Sequence, residues 1–126
     1  MGLKPLARIK GYASGGVDPA YMGLGPVPAV RKLLRITGTS IKDYGLFELN
    51  EAFAAQAISC LRELNIPWDI TNVNGSAISI GHPVGCSGAR IVLALANEMK
   101  RRKVSLGLAS LCIGGGQGMA IAIEAV

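Results

Sequence analysis

A single histidine, His82, is all the imidazole this chain has, and aromatic side chains make up only 5% of its 126 residues. One histidine cannot complete a tetrahedral metal set with the three cysteines Cys60, Cys86 and Cys112, which are odd in number and form no CxxC pair. Neither a zinc site nor a disulfide framework is indicated, no metal is expected, and free thiols fit a reducing, cytoplasmic compartment. Scarce aromatics also bear on the formal charge of +5, which favours an anionic partner without naming one. The one basic run, Lys100-Arg101-Arg102-Lys103, has no aromatic interleaved with it, so it lacks a base-stacking platform and no nucleic-acid partner is expected. A solvated helix end, whose cations suit the negative end of the helix dipole, explains that run better.

Targeting signals are wanting too. The opening "MGLKPLARIK" carries charges where a signal peptide needs its apolar stretch, and Leu6 breaks the myristoylation pattern that Gly2 begins. The uncharged stretch from Val104 to Ile123 is long enough to span a bilayer by length alone. However, Ser105, Ser110, Gln117 and five glycines interrupt it, and two buried strands joined by a turn account for it better; no membrane association is expected. What the chain has in quantity is apolar residues, 50% of the total. That is more than one compact unit of this size hides, which implies burial against another domain or subunit.

Periodicity orders the rest. "LARIKGYA" alternates, placing Ala7, Ile9, Gly11 and Ala13 on one side of a half-buried strand. In "PAVRKLLRITG", Val30, Leu33, Leu34 and Thr37 recur at helical spacing, with Pro28 in the first turn and Gly38 as the stop. "YGLFEL" predicts a second strand, and Asn50 or Glu51 opens a helix whose apolar face holds Phe53, Ala57, Cys60, Leu61 and Leu64, closed by Asn65. "DITNVNGSAISIGHPVGCSGA" predicts a long ordered loop in which "ITNVN" pairs as a short strand. From Ser87 the apolar residues encircle a helix axis, so that helix calls for burial on most sides. "GLASLCI" and "GMAIAIE" close the chain as an antiparallel hairpin turned by glycines. The order βαβαβαββ predicts an α/β fold, a mixed five-stranded sheet flanked by helices, forming one domain over residues 1–126 with no internal repeat.

Three places hold residues suited to chemistry, and each has a plain structural alternative. His82 sits between Gly81, which permits an unusual backbone angle, and Pro83, which fixes the next; it is either a satisfied structural imidazole or a group held for proton transfer. Cys112 ends a strand beside Gly114, Gly115 and Gly116, where its thiol either packs in the core or stands at the mouth of a site that the glycines open to a substrate. A phosphate loop is excluded there, because no Lys-Ser or Lys-Thr follows. Asn50 either caps a helix or orients a water.

Taken together, "NEAFA" at 50–54, "NVNGSAISIGHPVGCSGAR" at 72–90 and "CIGGGQG" at 112–118 resemble the C-terminal half of thiolases, closest to the acetyl-CoA acetyltransferases. The similarity runs from "PLARI" to the last strand. It implies a fold of two βαβαβαββ halves packed as αβαβα layers, with the helix after the GHP loop in the shared central layer. It also implies reversible Claisen condensation of two acetyl-CoA to acetoacetyl-CoA and free CoA through an acylated cysteine, with coenzyme A thioesters as substrates and no further cofactor. On this resemblance Cys112 is the acid/base that exchanges the α-proton, and His82 activates the nucleophilic cysteine and donates to the developing enolate oxygen. Asn50 holds a water in that oxyanion hole, Gly114 offers its N–H to the second hole, and Ala52 and Phe53 line the acyl pocket.

The departure from the family pattern is that the acylated cysteine and most of the CoA-binding loop belong to the N-terminal half, which these 126 residues do not contain. Cys86 and Cys60 cannot replace it. Ser76, where related sequences often have glycine, is a smaller difference. The resemblance implies a partner N-terminal half, a homo-oligomer when complete, and an inactive chain alone. A non-catalytic thiolase-fold binding or assembly module is the alternative, which the joint presence of His82, Cys112 and Asn50 disfavours. A ketoacyl synthase half fits less well, since those enzymes pair two histidines with their cysteine.

Overall fold

A computed structural model describes residues 2–126 as a mixed four-stranded sheet with helices on both faces. The strands β1 (Arg8–Gly16), β2 (Leu46–Leu49), β3 (Leu106–Ile113) and β4 (Gln117–Glu124) lie in the order β1-β4-β3-β2. Both β1–β4 and β3–β4 are antiparallel, and β2 runs parallel to β3. The uncharged stretch near the C-terminus is therefore the β3–β4 hairpin, as its interruptions imply. Among the described residues no helix is long and apolar enough to cross a membrane.

Four strands, not five, form the sheet. Where "ITNVN" was expected to add a strand, only Thr71 bridges to Phe47, because Asn72 turns the backbone to a φ of 49° and ends the pairing. The Asn72 side chain then does what main chain would have done: its Oδ1 accepts from Leu49 N–H at 2.9 Å and its Nδ2 donates to Leu49 C=O at 2.8 Å. At the end of the free edge of β2, Leu49 is thus satisfied by one amide side chain, while Asn72 N–H donates to Phe47 C=O at 2.9 Å.

Helix α1 (Pro26–Thr37) starts two residues earlier than the proline pattern predicts and ends at Gly38 in the left-handed conformation. It buries Val30 and Leu33 against β1 and β4. Helix α2 (Ala54–Leu64) shares that face through Ala57, Cys60, Leu61 and Leu64, and Asn65 closes it as expected. Its start is the correction: Phe53, not Asn50, occupies the cap position, with Gln56 Oε1 accepting from Phe53 N–H, and the Phe53 ring is exposed rather than on the buried stripe. Helix α4 (Ser87–Arg102) covers the other face, packing Ile91, Leu95 and Met99 on Leu46, Ala109 and Ile123.

β1 does not keep its apolar residues on one side. A bulge at Lys10 separates the pairs Ile9↔Ile123 and Gly11↔Ala122, so Ile9 turns to the α4 face while Gly11 and Ala13 stay on the α1 face. Ile9 and Tyr12 remain exposed on the α4 side, as does Leu93 of α4 itself. The helix expected to be buried on most sides is thus covered along one side only.

Candidate active site

Two parallel strands end side by side at the site. β2 finishes at Leu49, paired with Ser110 of β3, and the ladder extends one step further as Asn50 N–H donates to Ser110 C=O at 3.0 Å. Asn50 therefore lies beside the strand that carries Cys112 near its end, although 62 positions separate the two residues in the chain. A crevice beyond the carboxyl ends of parallel strands is where α/β sheets take ligands.

The loop carrying His82 arrives from the α4 side. One turn of helix, α3 (Ala77–Ile80), ends at Gly81 with φ 94° and ψ 162°, a conformation closed to side-chain-bearing residues, and the chain then passes through His82-Pro83 into α4. Ser87, the first residue of α4 and fully buried, ties that loop down: its N–H reaches Pro83 C=O at 2.9 Å and its hydroxyl donates to the same oxygen at 3.1 Å. The same hydroxyl oxygen lies 2.6 Å from His82 Nδ1. On the other side of the ring, Nε2 meets Asn50 Nδ2 at 3.4 Å.

His82, Cys112, Gly114, Ala52, Phe53 and Met22 line one cavity of about 410 Å³. Five of the six residues singled out from sequence are brought together there. Asn50, the sixth, is fully buried behind the cavity and touches it through His82 rather than lining it. Gly114 sits at the turn with open space around it, whereas Gly116 is locked in place: φ is 86°, Val17 N–H donates to its carbonyl at 2.7 Å, and an added Cβ would lie 2.3 Å from Val17 O. The glycine run is thus closed at one end and open at the end that faces the cavity.

Cys112 is 8% exposed, and burial raises its thiol pKa above the ordinary value, partly offset by a hydrogen bond from its own backbone. The resting group is a thiol. Cys60 is fully buried on the α2 stripe, donates to Gly23 C=O at 3.2 Å and has its pKa pushed up to about 11 by desolvation, as a packing cysteine should. Cys86 is exposed beside the N-terminus of α4.

Residues not singled out from sequence surround Asn50. Arg90 of α4 donates from Nη2 to Asn50 Oδ1 at 3.0 Å and to Ser76 Oγ at 3.4 Å. Glu48 of β2 is 3% exposed near Arg90, with its pKa raised to about 7 by burial, which the Arg90 charge opposes and the charges of Glu51 and Glu98 reinforce. A glutamate inside the run "LFEL" was the visible signal for this buried charge.

Residues 3–125 match the family described as "Thiolase, C-terminal domain". The chain belongs to this thiolase family. It is 57% identical over 123 residues to the acetyl-CoA acetyltransferase of Escherichia coli strain K12, an alignment that covers 98% of this chain and 31% of that protein. The crystal structure of Bacillus anthracis acetyl-CoA acetyltransferase superposes with a TM-score of 0.97 at 54% identity, covering 99% of this chain and 32% of that one. Human mitochondrial 3-ketoacyl-CoA thiolase in complex with CoA gives a TM-score of 0.96 at 50% identity, covering 98% and 31%. This thiolase domain therefore spans about a third of the length of the relatives it matches. The mixed sheet with helices on both faces is the thiolase α/β architecture that the three motifs imply, with four strands in place of the expected five.

Proposed function

We propose that this chain is the C-terminal catalytic part of an acetyl-CoA C-acetyltransferase, supplying the proton-transfer and oxyanion-binding groups for reversible condensation of two acetyl-CoA into acetoacetyl-CoA and CoA. The observation that carries this reading is the convergence of His82, Cys112 and Gly114 on one cavity with Asn50 directly behind the imidazole. Its relatives' names, acetyl-CoA acetyltransferase and a thiolase in complex with CoA, supply the substrate class.

In this reading the acetyl group is carried by a cysteine of the remaining thiolase sequence. Acetylation of that cysteine sends its proton to His82 Nε2 and the Cys112 proton to the departing CoA thiolate; the Cys112 thiolate left behind takes an α-proton from a second acetyl-CoA, and the enolate oxygen that forms is held by the protonated His82 and by a water on the Asn50 side. The carbanion attacks the acyl-cysteine carbonyl, the tetrahedral oxyanion lies at the Gly114 N–H, and the C–S bond breaks to release acetoacetyl-CoA and a cysteine thiolate. In the thiolytic direction Cys112 returns the proton, a step for which a buried thiol of raised pKa is suited. The same remaining sequence would cover the exposed apolar side of α4. Working in a reducing cytoplasm and assembling as a homo-oligomer are part of the same proposal.

The test is complementation. Mixed with the complementary N-terminal portion of the Escherichia coli relative, the chain is expected to restore acetoacetyl-CoA thiolysis that neither piece shows alone. Cys112→Ser in the pair should lower the rate by roughly 10³-fold, the usual scale of a lost general acid–base. A stable folded pair that binds CoA and turns nothing over would overturn the proposal in favour of a binding module.

A further inference from the structure

Every polar group around the imidazole has a fixed hydrogen-bond sense once Arg90 is considered. A guanidinium only donates, and Arg90 Nη2 lies 3.0 Å from the Asn50 amide, so the atom facing it is Oδ1. The flipped amide would set two donors against each other, which removes the usual ambiguity between amide oxygen and nitrogen. Nδ2 must then face His82 Nε2, 3.4 Å away, and because an amide NH2 only donates, Nε2 is the acceptor. The proton of the neutral ring is left on Nδ1, donated across 2.6 Å to Ser87 Oγ, whose own proton goes to Pro83 C=O at 3.1 Å.

We propose that Arg90 is the positioning residue of this site: by holding Asn50 Oδ1 it turns the amide nitrogen onto His82 and so sets the imidazole proton on Nδ1, leaving Nε2 to accept. Arg90 does this without lining the cavity. Its guanidinium is steadied by Ser76, a 1% exposed hydroxyl that accepts from Nη2 at 3.4 Å and reaches Leu49 C=O at 3.4 Å. Arg90 Nε and Nη1 and Glu48 Oε2 are buried with no partner among the described residues. Polar groups so sparsely bonded add little stability over apolar side chains of similar size, whereas Arg90 orients the neighbouring amide through a direct hydrogen bond. The inference rests on the proposed function for its consequence, because an accepting Nε2 is what a proton-taking imidazole needs, but its geometry stands without it.

The test is the tautomer of His82, read by nitrogen NMR of the tag-free, 15N-labelled chain at a pH where the ring is neutral. With one histidine in the sequence, the two ring nitrogens are observed without interference. In the unsubstituted chain Nδ1 should show the signal of a proton-bearing nitrogen and Nε2 that of a lone-pair nitrogen. Arg90→Met should average the two signals as the amide becomes free to flip. Asn50→Asp, close in size and unable to donate, should move the proton to Nε2, and Ser76→Gly should give a partial shift. A proton on Nε2 in the unsubstituted chain, or an unchanged tautomer in folded Arg90→Met and Asn50→Asp, overturns the inference. If Arg90→Met does not fold, the unsubstituted spectrum and Asn50→Asp decide. An Nδ1–H tautomer in a complemented pair that shows no thiolysis would defeat the proposed function alone.

Discussion

Gly116 shows how one residue can hold a site open without touching substrate. Its positive φ and the Val17 carbonyl 2.3 Å from any added Cβ leave no room for a side chain, and the contact anchors the hairpin turn to the segment that follows β1. Gly116→Ala is expected to cost about 2 kcal/mol or more, by strain plus displacement of backbone. Denaturant unfolding measures this, and a change under about 0.5 kcal/mol, the range of ordinary surface substitutions, would show that the turn is not constrained as described. Gly114, two positions earlier, meets no such contact, so the same substitution there should leave stability nearly unchanged while altering the space beside Cys112. The glycine run is thus two devices: a locked corner and an open approach.

At the scale of elements, β2 and α4 meet over a charge. Glu48 faces Arg90 and Glu98 of α4, with Glu51 just beyond its own strand, and burial holds its carboxyl protonated to about pH 7. An unfolded glutamate loses its proton near pH 4.5, so between these values the folded chain binds more proton than the unfolded one. The Glu48 contribution to stability is therefore complete below pH 4.5, falls as the pH rises toward 7, and is gone above it. Glu98 acts in a separate window with the opposite sign, since its contacts with Arg101, Asn74 and Arg102 hold its carboxyl down at about 2, so its contribution is present above pH 4.5 and is lost as the pH falls from there. Glu48→Gln is expected to flatten the decline between pH 4.5 and 7, as followed by melting temperature. Equal slopes for Glu48→Gln and the unsubstituted chain would refute the assignment.

At the scale of the molecule, one side of the sheet is finished and the other is not. The α1 and α2 side is closed over Val30, Leu33, Phe47 and Leu61, while on the α4 side Ile9, Tyr12 and Leu93 are 55% or more exposed. Such a surface is costly to leave in water, and covering it is the task the proposed function gives to the rest of a thiolase. Leu93→Asp should leave the chain's own unfolding midpoint nearly unchanged, because the side chain is already 55% exposed, yet weaken complementation more than tenfold. Unimpaired complementation by Leu93→Asp would place the contact elsewhere.

Local rules were enough for the helix stops at Gly38 and Asn65, the β3–β4 hairpin and the burial of Cys60, because each depends on a turn residue or on a period within a few positions. The motifs likewise named His82, Cys112, Gly114, Ala52 and Phe53, which share the cavity. The Lys10 bulge and the missing fifth strand were not legible, since each is settled by contacts with other elements, pairing to β4 and the Asn72 amide on β2, whereas the late start of α2 rests on the local Gln56 cap at Phe53. Arg90 was invisible as a site residue for the same reason. It lies 40 positions from Asn50, and only the packing of α4 across β2 turns a helix-surface arginine into the donor that orients a buried amide. Sequence alone determined which chemical groups this protein has; tertiary structure decided which way their hydrogen bonds point, because a hydrogen bond's sense depends on partners that only folding brings within 3 Å or so.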